Sequence, residues 1–161
     1  MTTAIRAATP RDTADITALV HALAEFEHDP EHSAVTELHI STTIFGPFPT
    51  ARCHVAEVDG QLAAMALWCV RYTVCGGAGA HLERLFVWPR FRRRGVARAM
   101  LSALARECLD NGYSRPAWAV LDGNTGAIAL YDRIGGQGRP RRDSTAYLLS
   151  GSRLAELAGP R

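Results

Sequence analysis

The sequence predicts a mixed α/β fold in a single domain over residues 1–161, and three observations carry that prediction. Two strand-like runs flank Asp59-Gly60, a dipeptide that suits a tight hairpin turn. In the second half, strand-like runs alternate with helices of 3.6-residue apolar period, each closed by asparagine or glycine. With 161 residues, 47% hydrophobic and 21% charged, the chain is large enough for one substantial core.

Residues 4–8 read as a short first strand, followed by a helix in "TPRDTADITALVHALAEFE". Thr9 is a capping candidate, Pro10 suits the first turn and Asp12 completes a capping box. Ile16, Leu19, Val20 and Leu23 supply the buried stripe. A weaker helix covers Thr36 to Ile44 and ends before "FGPFP". The hairpin "CHVAEVDGQLAAMALWCV" leads into a glycine-rich loop (Gly76, Gly77, Gly79), and "HLERLFV" reads as another strand. The helix after Arg94 places Val96, Ala97, Met100, Leu101, Leu104, Ala105, Cys108 and Leu109 on one face and stops at Asn111-Gly112. "AWAVL" reads as a buried strand. Asn124 caps a helix carrying Ile128, Tyr131 and Ile134, which ends at Gly135-Gly136. "TAYLL" is a last strand and "RLAELA" a terminal helical turn. This interleaving describes a mixed sheet with helices on both faces.

Composition removes several classes of function. All 18 basic residues are arginine, so neither a Schiff-base lysine nor the lysine of a nucleotide-triphosphatase loop exists. Cys53, Cys69, Cys75 and Cys108 form no CxxC pair; they suit a reducing compartment and read as small core hydrophobes. His28 and His32 are four apart, but Pro30 breaks the helix that would align them, and no metal site is expected. No apolar run approaches the ~20 residues that span a bilayer. The N-terminus lacks a signal-peptide layout, so the expected location is cytoplasmic with no membrane partner.

The stretch "RFRRRGVARAM" places Arg90, Arg92, Arg93 and Arg94 where a helix begins. Helix N-termini already carry partial positive charge, so these guanidinium groups call for something negative. Gly95 permits a turn that a side chain would obstruct, and the amides of Arg93 through Ala97 can converge on phosphate oxygens. The bland alternatives are a solvated basic patch or a nucleic-acid contact. A glycine at the turn with a well-formed helix behind it favours a small phosphorylated ligand, and a net charge of +2 gives little support to nucleic acid.

Arg92-Arg93-Arg94-Gly95-Val96-Ala97 resembles the R/Q-x-x-G-x-G/A signature of the GNAT-superfamily acetyltransferases. "HLERLFV", "VLDGNTGAIALYDRIGG" and, upstream of both, "FGPFPTARCHVAEVDG" resemble in their order and spacing the spermidine/spermine acetyltransferase-like branch over roughly residues 4–150. The resemblance implies a mostly antiparallel mixed sheet with a splayed central strand pair. It also implies acetyl-CoA as co-substrate without a metal, a small-molecule amine as acceptor, and a homodimer. The coenzyme would lie against Leu85, Phe86 and Val87 and against Arg92 to Arg98 (with Arg93, Arg94, Gly95, Val96 and Ala97), and along the later helix at Asn124, Ala127 and Tyr131. Glu83 matches an acid that assists deprotonation, and Tyr131 a tyrosine that protonates the coenzyme sulfur. Phe26, Glu27, Glu83, Trp118 and Asp143 fall at positions resembling the amine pocket.

Each residue also has a structural reading: Glu83 pairing an arginine, Tyr131 and Trp118 in the core, Asn124 as a cap, Asp143 in a solvated cluster. Glu27 at a helix C-terminus opposes the dipole, which favours a cationic partner. The chain departs from the branch at Arg84, where a second acid is usual, and at Gly123, where tryptophan is usual. A like charge at ~4 Å in an effective dielectric of ~20 costs about 4 kcal/mol, so Arg84 disfavours polyamines and suits an acceptor bearing a carboxylate, such as a diamino acid. Two rival readings are a non-catalytic acyl-CoA sensor and a nucleic-acid-binding domain.

Overall fold

The computed structural model describes residues 2–28, 34–74, 76–140 and 144–159. The chain divides into two compact units, residues 1–68 with 84–100 and residues 69–83 with 101–161. Among the described residues no helix is long and apolar enough to cross a membrane.

In the first unit, strand β1 (Thr3–Ala7) leads to a 3-10 turn (Pro10–Asp12) and then helix α1 (Thr13–Glu27). Thr9 N–H donates to Asp12 Oδ2 at 2.7 Å, one half of the expected capping box. The α-helix itself starts later than the sequence suggests. The same Asp12 carboxylate accepts two 2.8 Å bonds from Arg6, whose Nε donates to Glu57 at 2.9 Å. Asp12 is therefore held on β1 and on its own turn, and the first turn tightens to 3-10 geometry. The Arg6 hydrogen bonds, which outweigh burial, hold the Asp12 carboxyl well below the usual carboxylate range. Ile16, Leu19, Val20 and Leu23 form the buried stripe, packed with Ile40, Val55, Met65 and Phe86.

The weaker helix resolves into one α turn, α2 (Glu37–Ile40), capped by Thr36, followed by a π turn over Ser41–Phe45. Strands β2 (Arg52–Val58) and β3 (Gln61–Thr73) make the hairpin. Asp59 (φ 49°) and Gly60 (φ 78°) are both left-handed, as a two-residue primed turn requires. Strand β4 (Gly77–Val87) follows, and the order in this unit is β1-β2-β3-β4.

In the second unit the order is β3-β4-β5-β7-β6. Gly77 and Gly79 lie within β4 and not in a loop as expected. Ala80 N–H donates to Arg115 O, and a Cβ on Gly79 would meet that same oxygen at 2.7 Å, so the strand tolerates no side chain there. Strand β5 (Pro116–Leu121) runs parallel to β4 and alternates buried Trp118 and Val120 with exposed Ala119 and Leu121, so it is half-buried, not buried throughout. Among the described residues the β4–β5 register covers Ala80↔Pro116 and His81↔Ala117, although β5 runs on to Leu121.

Helix α3 (Val96–Asp110) continues into this unit. It buries Leu104, Ala105 and Cys108, whereas Leu109 is 40% exposed, since one further residue turns ~100° away. Helix α4 (Thr125–Arg133) precedes strands β6 (Gln137–Pro140) and β7 (Ser144–Leu148) and helix α5 (Ser152–Ala158). Strand β6 carries no apolar alternation and is invisible to pattern reading; pairing with β7, from Gln137↔Leu148 to Pro140↔Thr145, creates it. Ser102 and Arg106 of α3 donate to the carbonyls of Leu157 and Ala158, which anchors α5.

Candidate active site

The arginine run does not converge on one point. Arg92 Nε donates to Val87 O at 3.0 Å, and its guanidinium lies over the rings of Phe26 (4.8 Å) and Phe86 (5.4 Å). Arg90 and Arg94 both lie over Phe91, at 4.9 and 5.9 Å. The negative faces of these rings offset part of the repulsion that the sequence raises. Arg92 thus ties the loop back to the end of β4, while Arg93 and Arg98 are exposed. The Val87 carbonyl already accepts from Arg92 and retains its second lone pair.

What the loop offers an anion is mostly backbone. Arg93 (φ 61°) and Gly95 (φ 79°) are left-handed and flank Arg94, and such alternation of handedness turns successive amides toward one side. A Cβ on Gly95 would meet nothing within 4 Å, so glycine is required by its φ and not by space. Ala99 N–H closes onto Gly95 O at 3.0 Å, which leaves the amides of Val96, Ala97 and Arg98 without intrahelical acceptors. They stand at the positive end of a 15-residue helix, beside exposed guanidinium groups. This donor set fits a phosphate or pyrophosphate.

Phe26 is 51% exposed and its ring packs on Phe86 at 6.5 Å, so the first unit brings it together with Phe86 and Arg92. Glu27 is the last residue of α1, half-buried, before left-handed His28 (φ 54°). Leu85 is half-buried, while Phe86 and Val87 are 4% and 8% exposed.

The second unit holds the acid–base candidates. Glu83 is 51% exposed; its Oε1 lies 3.5 Å from His81 Nε2 and accepts a weak 3.9 Å contact from Cys69 Sγ. Burial pushes the His81 imidazole below its ordinary value, with Glu83 opposing and Arg71 assisting. Neither His81 nor Cys69 was read as part of a site. The available signal for His81 was its position two residues before Glu83 on a strand, whereas Cys69, expected in the core, is only half-buried.

Asn124 Oδ1 accepts from Ala127 N–H at 3.2 Å, so Asn124 caps α4 and Ala127 sits in its first turn. Tyr131 is buried, its ring 5.1 Å from Trp118 and 5.0 Å from Tyr147. Tyr147 O–H donates to Asp132 Oδ1 at 3.0 Å, and burial together with that carboxylate raises the phenol's pKa. Gly136 N–H donates to Tyr131 O, and a Cβ there would meet the Tyr147 ring at 2.9 Å. Tyr131 is thus held against the stacked pair of Trp118 and Tyr147, whose centroids are 6.3 Å apart, and by the helix end. The sequence reading missed Tyr147 and Asp132, since nothing local marks them as partners. Asp143 lies outside the described residues.

Residues 17–136 match the profile of the acetyltransferase (GNAT) family. The chain belongs to that family. It is 30% identical to thialysine N-epsilon-acetyltransferase of Mus musculus, over 98% of each chain. It is 25% identical to an L-ornithine N5-acetyltransferase of Arabidopsis thaliana, over 83% of this chain and 78% of that one. Among solved structures, the PaiA N-acetyltransferase of Thermoplasma acidophilum, crystallised with coenzyme A, superposes with a TM-score of 0.72 at 13% identity, over 94% of this chain and all of the other. That similarity is one of fold. The family match and the near-full-length relatives make the chain an N-acetyltransferase.

Proposed function

We propose that this N-acetyltransferase moves the acetyl group of acetyl-CoA directly onto the terminal primary amine of a small diamino acid. The observation that carries the reading is the loop at the head of α3, with left-handed Arg93 and Gly95, amides from Val96 to Arg98 that have no intrahelical acceptor, and exposed cationic side chains. Those groups would hold the coenzyme's pyrophosphate, with Arg92 acting mainly as the clamp that shapes the loop. Bound acetyl-CoA supplies the acyl group as a thioester, already activated toward an amine. Leu85, Phe86 and Val87, and Asn124 and Ala127 of α4, keep the coenzyme-side roles that the resemblance implies.

A lysine-like ammonium, with its pKa of ~10.4, has no lone pair at neutral pH, and the Glu83 carboxylate removes its proton through water. The Tyr131 hydroxyl gives a proton to the departing sulfur. No covalent enzyme intermediate is invoked. Burial pushes the Cys53 and Cys108 thiols up to about 12 and 11, and Cys69 is raised by burial and by Glu83, whereas a nucleophilic thiol needs the opposite shift. Phe26, Glu27, Trp118 and Asp143 are the proposed acceptor side, and a cytoplasmic homodimer the proposed setting.

The acceptor class follows from Arg84 and from the relatives. Thialysine and L-ornithine, which name the acceptors of those two enzymes, each carry a terminal amine and an α-amino acid head. Arg84, half-buried in β4, adds positive charge beside Glu83 in the chain and so opposes a polycation. The test is coenzyme A release from acetyl-CoA with L-ornithine, thialysine, lysine and spermidine. The diamino acids should exceed spermidine at least tenfold in kcat/KM. Spermidine leading the panel overturns the acceptor class, and coenzyme binding without turnover of any amine overturns the reaction.

A further inference from the structure

His81 precedes Glu83 by two residues on β4, so the pleat turns both side chains to one face. The glutamate is the outer group, at 51% exposure, and the imidazole the inner one, at 20%. Nε2 and Oε1 are 3.5 Å apart, a distance that a small side-chain rotation closes to a hydrogen bond. The charged groups acting on the ring are Glu83 from its own strand and Arg71 from β3, and Cys69 of β3 rests on the same carboxylate oxygen. On the β5 side its register partner is Ala117, which carries no charge.

We propose that His81 is the proton relay behind Glu83, orienting the carboxylate and taking over the proton that Glu83 removes from the acceptor. The inference rests on Glu83 serving as the base. An ammonium N–H bond breaks and an O–H bond forms on Glu83 Oε1, directly or through one water. That O–H then breaks as an N–H forms on His81 Nε2, leaving an anionic carboxylate, an imidazolium and an amine with its lone pair. The imidazolium returns its proton to solvent between turnovers. With the proton passed inward, Glu83 is a carboxylate again without waiting for bulk water.

Burial keeps the ring neutral further into the acid range than an ordinary histidine, and the neutral ring is the form that accepts a proton. As pH falls through that lowered value the ring charges and the relay stops.

The test compares wild type with His81→Gln, which still hydrogen-bonds but cannot carry the proton. At saturating acetyl-CoA and acceptor, kcat should fall about tenfold, less than the ~10²-fold or more of a group that meets the substrate itself, with the KM for acetyl-CoA unchanged. The acid-side inflection of kcat against pH, placed below 6.5 by the lowered imidazole, should vanish. An unchanged kcat with the same inflection overturns the relay. Glu83→Gln separates the layers: if it keeps the wild-type rate, the base assignment fails and the relay with it. If only Glu83→Gln loses rate, the relay alone fails. An NMR titration gives a readout free of turnover. The His81 resonance, assigned with His81→Gln, should shift to still lower pKa in Glu83→Gln, and an unshifted titration overturns the coupling.

Discussion

The arginine loop and the Glu83 face of β4 are built by opposite means. In the loop most partners are neighbours in sequence: Arg92 bonds Val87 five residues back, Arg90 and Arg94 flank the ring of Phe91, and Gly95 accepts from Ala99. Around Glu83 and Tyr131 the partners come from other elements. Cys69 is 14 residues from Glu83 and sits on another strand, and Tyr147 of β7 reaches back 15 residues to Asp132 of α4. On the proposed reading, anion affinity is therefore a matter of local backbone conformation, and proton handling a matter of packing. Substitutions in the two regions should separate coenzyme affinity from turnover.

The largest effect expected is that of Glu83→Gln. It should lower kcat/KM about 10²- to 10³-fold and alter its pH profile, with coenzyme affinity by calorimetry unchanged. A weakened coenzyme affinity would erase the contrast between the regions. Tyr131→Phe should lower kcat about 10²-fold, again with little change in coenzyme affinity, since the buried ring stays in place. Gly95→Ala works from the other side. A side chain in the left-handed region costs about 1–2 kcal/mol, so the Kd for coenzyme A should rise about tenfold while kcat at saturation holds.

The smallest effect concerns the fold beneath both regions. Asp12→Asn keeps an acceptor for Arg6 but loses its charge and should cost about 1 kcal/mol in urea unfolding at neutral pH. Because the folded carboxyl lies below its unfolded value, its contribution is present above pH ~4 and fades as pH falls further. The gap between wild type and variant should therefore close in acid. A gap that persists unchanged at low pH would show that the Arg6–Asp12 charge pair contributes nothing to stability.

Legibility in the sequence follows the same division. The hairpin at Asp59-Gly60, the stripe of α1, the Asn124 cap and the glycine before α3 are local, because each is dictated by a backbone angle or a helical period within a few residues. Leu109 shows the limit even there: one position beyond the buried row, periodicity places it inside and the structure leaves it 40% exposed. Strand β6 and the extension of β4 through Gly77 and Gly79 carry no pattern of their own, and pairing makes them strands. His81 and Cys69 looked like an ordinary strand residue and a core thiol until the sheet set them on Glu83.

The elements with a period or a cap of their own, the turn chemistry and the glycine turn of the arginine loop were determined by the sequence alone, since each depends on dihedral preferences and apolar spacing over short stretches. Which side chains surround Glu83, how Tyr131 packs on the Trp118–Tyr147 pair, and why buried Asp12 stays ionised were decided only by tertiary structure. Those are questions of distance and desolvation between residues far apart in the chain, and neither quantity exists until the chain has folded.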